Sequence, residues 1–84
     1  MTNSVTINRP GRSFKVKVGD PVIVMCEGEC TVGFVDQLDL GHKYGEIGMS
    51  TGGWFMRNGD MNIGSGWYID RLANQHEVNT LPSY

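Results

Sequence analysis

The chain has 84 residues, of which 39% are apolar and only 19% are charged, so it is too short for two hydrophobic cores and too apolar for a disordered protein. Its formal net charge of −2 provides no overall positive field that would attract a phosphate backbone. No apolar stretch approaches the roughly 18 residues that span a bilayer, and the polar start lacks the apolar core of a signal peptide. We therefore expect one cytoplasmic domain over residues 1–84, without a membrane partner.

The first thirteen residues are polar, and Pro10 and Gly11 interrupt their short strand pattern. Residues 1–13 are therefore predicted to be a loose arm or an edge strand. From Phe14 onward apolar residues alternate with lysines, which is the period of a strand with one buried face. A turn is predicted at residues 19–20, where glycine precedes aspartate.

The next segment carries the strongest hairpin signal in the chain. Residues 22–26 are a continuous apolar and largely β-branched run, and residues 30–35 are predicted to return beside them. Residues 27–29 predict a three-residue loop, since Gly28 can adopt the positive φ that such loops require.

Residues 36–44 fit neither a helical nor a strand period and are predicted to be an irregular loop. A second strand pair is predicted at residues 45–50 and 53–57. Asparagine followed by glycine at residues 58–59 is the strongest two-residue turn signal, because both residues tolerate positive φ.

Residues 61–65 fit either a short strand or a single helical turn. Residues 66–72 are predicted to be the closing strand, in which period 2 places Trp67 and Ile69 on one face and Tyr68, Asp70 and Leu72 on the other. The polar residues 73–84 are predicted to be a tail outside the barrel core, which spans about residues 14–72.

Five or six short strands in so short a chain favour an all-β fold, a small SH3-like barrel whose closure protects its strand edges. The residues that carry a family resemblance are Val18, Gly19, Asp20, Val22 and Val24, then Gly33 and Val35, and later Gly45, Ile47, Gly48 and Trp54. Their order resembles the opening hairpin and later layout of KOW and other SH3-like barrels. The resemblance implies a five- to six-stranded barrel and contact with RNA or polymerases through basic residues near the first hairpin loop. This chain instead has Glu27 and Glu29 in that loop.

The two cysteines flank the first hairpin loop, and a strand pairing in register would place Cys26 and Cys30 nearly opposite each other. That geometry is compatible with a disulfide, with a reactive pair, or with two ligands of one zinc ion. Zinc would also need His42 and His76, since the chain has no other cysteine or histidine. Two ordinary thiols are the remaining interpretation.

Catalytic signatures are weak. Asp36, Asp39 and His42 share one loop and could provide an acid and a base, but three polar groups in a loop are commonplace and no nucleophile motif accompanies them. We therefore predict a protein without enzymatic activity and without a cofactor.

Aromatic residues provide the more informative pattern. Because neighbours in a strand face opposite sides, at least one ring of each adjacent pair, 54–55 and 67–68, should face outward. Outward rings are either covered by the amino-terminal arm or the 36–44 loop, or they form a patch that anchors a protein or stacks on a base.

Three functional hypotheses follow. The first is a protein-binding module, such as a small phage or mobile-element protein that inhibits or redirects a host protein. This origin is expected because the chain is short and starts with methionine, and no motif indicates it. The second is a KOW-like nucleic-acid-binding module, and the third is a structural-zinc or redox cysteine-pair protein. A homodimer stays open as an alternative. The predicted protein-binding residues are Tyr44, Trp54, Phe55, Trp67, Tyr68, Glu27 and Glu29, and the alternative nucleic-acid-binding residues are Arg9, Arg12, Lys15 and Lys17.

Overall fold

Seven strands and one helix make up the regular structure of the described residues, 3–61, 64 and 66–84, in the computed structural model. In chain order they are β1 (Val5–Arg9), β2 (Arg12–Val16), β3 (Pro21–Cys26), β4 (Glu29–Leu38), β5 (Ile47–Met49), β6 (Trp54–Phe55), β7 (Tyr68–Leu72) and α1 (Gln75–Thr80). Five strands form an antiparallel sheet in the order β6-β5-β4-β3-β7, which curls into a half-barrel, while β1 and β2 form a separate hairpin. The predicted all-β class is confirmed.

The β1–β2 hairpin packs on the half-barrel and contributes to its core. Val5 and Ile7 are 4% and 0% exposed, and Val16 is fully buried with them. The Asn8 amide donates to the carbonyl of Arg57 at 2.8 Å, which ties the hairpin to the turn after β6. The prediction of a loose amino-terminal arm is therefore wrong, and the alternative of a strand is what the structure has. Apolar residues alternate with polar ones along β1, so one side of the strand can be buried.

The β3–β4 hairpin is confirmed, but its loop has two residues rather than three. Cys26 pairs with Glu29, so only Glu27 and Gly28 make the turn, with φ of 52° and 88°. Positive φ at both positions is the signature of the type I′ turn, which matches the twist of the strands that it joins.

The predicted second strand pair is confirmed in β5 and β6, although both strands are shorter than expected. A turn also follows β6, but it lies one residue earlier than predicted. The Gly59 amide donates to the Met56 carbonyl at 2.8 Å, so residues 57–58 are its centre, and of the predicted pair only Gly59 has a positive φ. Of the ambiguous segment 61–65, residues 62, 63 and 65 lie outside the described residues. Met61 forms an isolated bridge with Phe55.

The carboxyl-terminal residues return to the sheet, so the prediction of a tail is wrong. After β7, Asn74 and Glu77 form a capping box that begins α1. Residues beyond the helix then lie parallel to β4, where the Val32 amide donates to the Pro82 carbonyl at 2.9 Å and the Tyr84 amide donates to the Val32 carbonyl at 2.8 Å. The described residues contain no helix that is long and apolar enough to cross a membrane.

An ion pair joins helix α1 to the sheet at its outward-facing row. Ile23 pairs with Val32 on one side and with Arg71 on the other, and this row faces away from the barrel core. The Arg71 guanidinium donates to the Glu77 carboxylate of α1 at 2.6 Å, which ties the helix to β7. Ile23 and Val32 are buried although they lie outside the main core.

The attachment of α1 is expected to weaken in acid. Hydrogen bonds from the Asn74 backbone amide and then from the Arg71 guanidinium lower the pKa of Glu77 below its ordinary value of about 4.3. A carboxylate with a depressed pKa stabilises the fold above its unfolded-state pKa, and this contribution is lost as the pH falls through the folded-state pKa. The melting temperature of the wild type should therefore decrease more steeply below about pH 4.3 than that of Glu77→Gln. Glu29→Gln controls for the loss of one exposed charge, and parallel pH profiles of the wild type and Glu77→Gln would contradict the expectation.

Candidate binding surface

The aromatic pairs divide between the core and the outer surface as strand alternation predicts. Phe55 is fully buried and Trp67 packs against the core, whereas Trp54 and Tyr68 are half-buried on the outer side. The inclusion of Phe55 among partner-contacting residues is therefore wrong, because a side chain with 0% exposure has no surface to offer.

Both outward rings are covered by side chains from the segments that the sequence suggested. The Arg9 guanidinium of β1 lies over the ring of Tyr68, with its central carbon 4.3 Å from the ring centroid. The imidazole of His42 stacks on Trp54 with a centroid distance of 3.5 Å and an interplanar angle of 14°. Cation–π contact and parallel stacking remove much of each ring face from solvent.

Trp54 has neighbours on both of its faces. It pairs with Gly48 of β5, and a Cβ at that position would lie 3.0 Å from the indole ring, closer than an ordinary van der Waals contact, so the glycine gives the ring room beside the strand. His42 covers the opposite face. Trp54 therefore acts as the support on which His42 and its loop rest, rather than as a free stacking platform.

The segment that His42 anchors is a closed loop of residues 39–46, called loop 39–46 below. Its base is closed by a hydrogen bond from the Asp39 amide to the Glu46 carbonyl at 2.9 Å. Inside it, the Gly41 amide donates to the Asp39 carboxylate at 3.0 Å and the Tyr44 amide donates to His42 Nδ1 at 3.2 Å. Because Nδ1 accepts a hydrogen bond, neutral His42 carries its proton on Nε2. These contacts give the loop one defined shape.

Loop 39–46 presents two large apolar side chains to solvent. Leu40 and Tyr44 are each 49% exposed, although both sit on a loop that is anchored by the His42–Trp54 stack. The Lys43 ammonium lies 4.9 Å from the centroid of the Tyr44 ring. The ammonium therefore occupies one face of the Tyr44 ring as a cation–π contact within the loop.

Carboxylates lie within and next to loop 39–46 along the chain. Asp36 and Asp39 are exposed and Glu46 is half-buried, so acidic groups outnumber the single Lys43 in this region. The region therefore combines apolar anchors with a negative rim, which suits a partner surface with apolar and basic groups and disfavours phosphate.

The acidic hairpin tip is not part of this region. Glu27 and Glu29 are exposed at the start of β4, whereas loop 39–46 begins after its end at Leu38. A strand of this length extends about 30 Å. The predicted combination of aromatic and acidic residues thus separates into two regions at opposite ends of β4.

The basic residues do not form one cationic patch. Arg9, Arg12 and Lys17 pair with the carboxylates of Asp60, Asp70 and Asp20 at 2.9, 3.8 and 2.8 Å, respectively. Arg9 and Arg12 pair with each other in register, whereas Lys15 pairs with Thr6 on the other side of the hairpin. The four side chains that the nucleic-acid hypothesis needs are therefore divided between two faces and largely compensated.

The strand register also separates the cysteines. Cys30 pairs with Met25, the neighbour of Cys26, so the two thiols point to opposite faces of the hairpin. Both are free, with the Cys30 thiol 3.4 Å from the Met25 sulfur and the Cys26 thiol 3.6 Å from the Thr31 hydroxyl. The predicted opposition of the cysteines is wrong, and a disulfide would need the backbone to move.

The predicted zinc ligands are likewise dispersed. His42 stacks on Trp54, and His76 is exposed on α1. Among residues 3–61, 64 and 66–84, no group of three or more histidine, cysteine, aspartate or glutamate side chains is placed to hold a metal ion.

Sequence reasoning missed two members of the candidate surface. The sequence does not indicate Leu40, because its loop matches neither a helical nor a strand period, and it suggests His42 only as an acid, a base or a metal ligand. Loop 39–46 contains glycine at residues 41 and 45, a composition typical of turns, but nothing local pairs position 42 with position 54.

Comparison with known proteins gives no relative: no protein-family model, curated protein or solved structure matches the chain.

Proposed function

We propose that this chain is a non-enzymatic protein-binding module that contacts its partner through loop 39–46. The observation that supports this most directly is the exposure of Leu40 and Tyr44 on a loop held in one shape by the His42–Trp54 stack. Large apolar side chains presented on a preorganised loop lose little conformational freedom on binding, which is characteristic of interface anchors.

The partner that this surface fits is a protein with an apolar pocket flanked by lysine or arginine. Leu40 and Tyr44 would fill the pocket, and Asp36 and Asp39 would face the basic groups. Trp54 keeps a role in this proposal as a positioning residue. That such a module acts in the cytoplasm and inhibits or redirects a host protein stays a prediction.

Tyr44→Ala is expected to weaken partner binding by about 2 kcal/mol or more, about 30-fold in Kd, because it removes the largest exposed anchor. The partner is first isolated with the wild-type protein and identified by mass spectrometry, and its affinity is then measured by calorimetry for each variant. The double variant Glu27→Gln, Glu29→Gln is the matched control, since it alters exposed residues at the other end of β4 and should leave Kd unchanged.

The same purified proteins distinguish this proposal from nucleic-acid binding. Labelled single-stranded RNA and DNA should bind neither the wild type nor Tyr44→Ala at low salt, since the region carries an acidic rim. Equal affinity of the wild type and Tyr44→Ala for the isolated protein partner would refute the role of loop 39–46. Salt-sensitive nucleic-acid binding that Lys15→Ala weakens would instead favour the KOW-like alternative.

A further inference from the structure

The edge of β4 is covered by the chain itself in a manner that resembles a bound peptide. In its second half β4 pairs with β5 from Val35 onward, whereas Val32 in its first half pairs with residues 82–84. Both hydrogen bonds at Val32 use backbone groups, from the Val32 amide to Pro82 and from the Tyr84 amide to Val32. Any extended segment could reproduce them, whatever its side chains.

An aromatic side chain anchors this segment. The Tyr84 ring meets Phe55 and Trp67 edge-on, each at a centroid distance of 5.8 Å. Its hydroxyl donates to the Gly52 carbonyl at 3.3 Å, and its own carbonyl accepts from the Thr51 hydroxyl at 3.1 Å. A Cβ at Gly53 would lie 2.6 Å from the Tyr84 hydroxyl, so the glycine turn leaves room for this ring. The site therefore has a backbone ladder and a defined aromatic pocket.

The internal segment does not use the whole site. If the parallel ladder continued by one step, the amide of residue 82 would donate to the carbonyl of Cys30. Pro82 has no amide hydrogen, so this hydrogen bond is not made. A pocket of about 420 Å³ also stays open beside Tyr84, lined in part by Cys26, Thr31 and Trp67. A peptide with another residue at the position of Pro82 could make one more backbone hydrogen bond than the chain makes to itself.

The connection to the rest of the fold is compatible with release. Helix α1 has no fully buried side chain, and Pro82 and Ser83 are exposed, whereas Val78, Leu81 and Tyr84 are half-buried. Segments with few buried apolar contacts open locally at lower free energy than the core.

We propose that the edge of β4 at Val32, together with the pocket that holds Tyr84, is a docking groove for an extended peptide with an aromatic residue, and that residues 82–84 occupy it as an exchangeable internal ligand. The peptide adds a strand parallel to β4, as in other cases of strand addition to an open sheet edge. Loop 39–46 is a different surface, so this proposal goes beyond the proposed function and does not depend on it.

The test uses full-length protein and fluorescently labelled pentapeptides. The probe TLPSY reproduces residues 80–84, TLASY restores the amide hydrogen at the position of Pro82, and TLASA lacks the aromatic ring. Tyr84→Ala empties the aromatic pocket, and Thr51→Val removes the hydroxyl that holds the Tyr84 carbonyl without touching the core. Binding is measured by fluorescence anisotropy.

An intramolecular competitor acts at an effective concentration on the order of millimolar, so TLASY should bind Tyr84→Ala at least about tenfold more tightly than the wild type. Thr51→Val should bind TLASY with an affinity between those of the wild type and Tyr84→Ala. TLPSY should bind Tyr84→Ala more weakly than TLASY by a factor of about 2 to 10, the effect of one backbone hydrogen bond. TLASA should not bind, and Tyr44→Ala should bind TLASY as the wild type does.

Equal binding of TLASY and TLASA, or no binding to either opened variant, would overturn the proposal. If Tyr84→Ala does not fold, hydrogen exchange of the backbone amides of the wild type tests the proposal instead. The Tyr84 amide should then exchange at least about tenfold faster than the amides of β3, because local release exposes it. Equal protection of the two would mean that residues 82–84 leave only when the whole domain unfolds, and this result would also overturn the proposal.

Discussion

Phe55→Ala is expected to lower the free energy of unfolding by about 3 to 5 kcal/mol, the usual loss when a buried phenylalanine is truncated. The ring is fully buried, pairs across the sheet with Ile47 and meets the edge of Tyr84. Domains of this size are stable by about 4 to 13 kcal/mol at 0.05 to 0.15 kcal/mol per residue, so this single change removes a large share of the total. Urea denaturation followed by tryptophan fluorescence measures the loss.

The matched comparison for Phe55→Ala is Tyr44→Ala, which truncates an aromatic ring of similar size at an exposed position. Its free energy of unfolding should stay within about 0.5 kcal/mol of the wild type. A Phe55→Ala protein with wild-type stability and reduced partner affinity would contradict this expectation and would show that Phe55 contacts the partner.

The parts of the fold that the sequence predicts are those with a local pattern. The β3 run, residues 21–26, is apolar and largely β-branched, and the hairpin loop that follows it contains a glycine suited to positive φ. The sequence indicates a turn at residues 58–59 because both tolerate positive φ, although in the structure only Gly59 adopts it and the turn is centred on residues 57–58. Each of these signals lies within a few consecutive residues, so it can be recognised without knowing which distant residues are in contact.

An error of one residue in loop length accounts for the failed cysteine prediction. A three-residue loop places Cys26 opposite Cys30, whereas the two-residue turn places Glu29 there and moves Cys30 beside Met25. Because side chains alternate between faces, a shift of one residue changes a facing pair into two side chains on opposite faces. The sequence therefore predicts that the hairpin forms more reliably than it predicts which side chains face each other across it.

Contacts between distant residues account for the remaining differences. The capping box of Asn74 and Glu77 was readable, but α1 has only six residues and shows no helical period. The pairing of residues 82–84 with Val32 and the stacking of His42 on Trp54 have no local signature at all. The candidate surface thus depends on contacts that become apparent only when the chain is folded.

Ile7→Ala is expected to lower the free energy of unfolding by about 2 to 5 kcal/mol, since it truncates a large side chain that is 0% exposed. Ile7 pairs with Phe14 across the hairpin and belongs to the same cluster as Val24 and Ile69 of the sheet. The hairpin therefore covers apolar surface that the half-barrel would otherwise expose to water. Chemical denaturation measures the loss, and increased binding of an apolar dye in the native baseline would indicate that the hairpin has loosened.

Thr6→Ala is the matched control for Ile7→Ala, because Thr6 is the preceding residue of the same strand and faces solvent. It should change the free energy of unfolding by no more than about 0.5 kcal/mol. If both variants were equally stable, residues 5–9 would be a dispensable arm and the half-barrel would be stable when open. A large loss of unfolding free energy for Ile7→Ala alone would instead mean that the fold is closed by its first strand. A shortened variant without residues 5–9 would then expose the core around Phe55 rather than a binding surface.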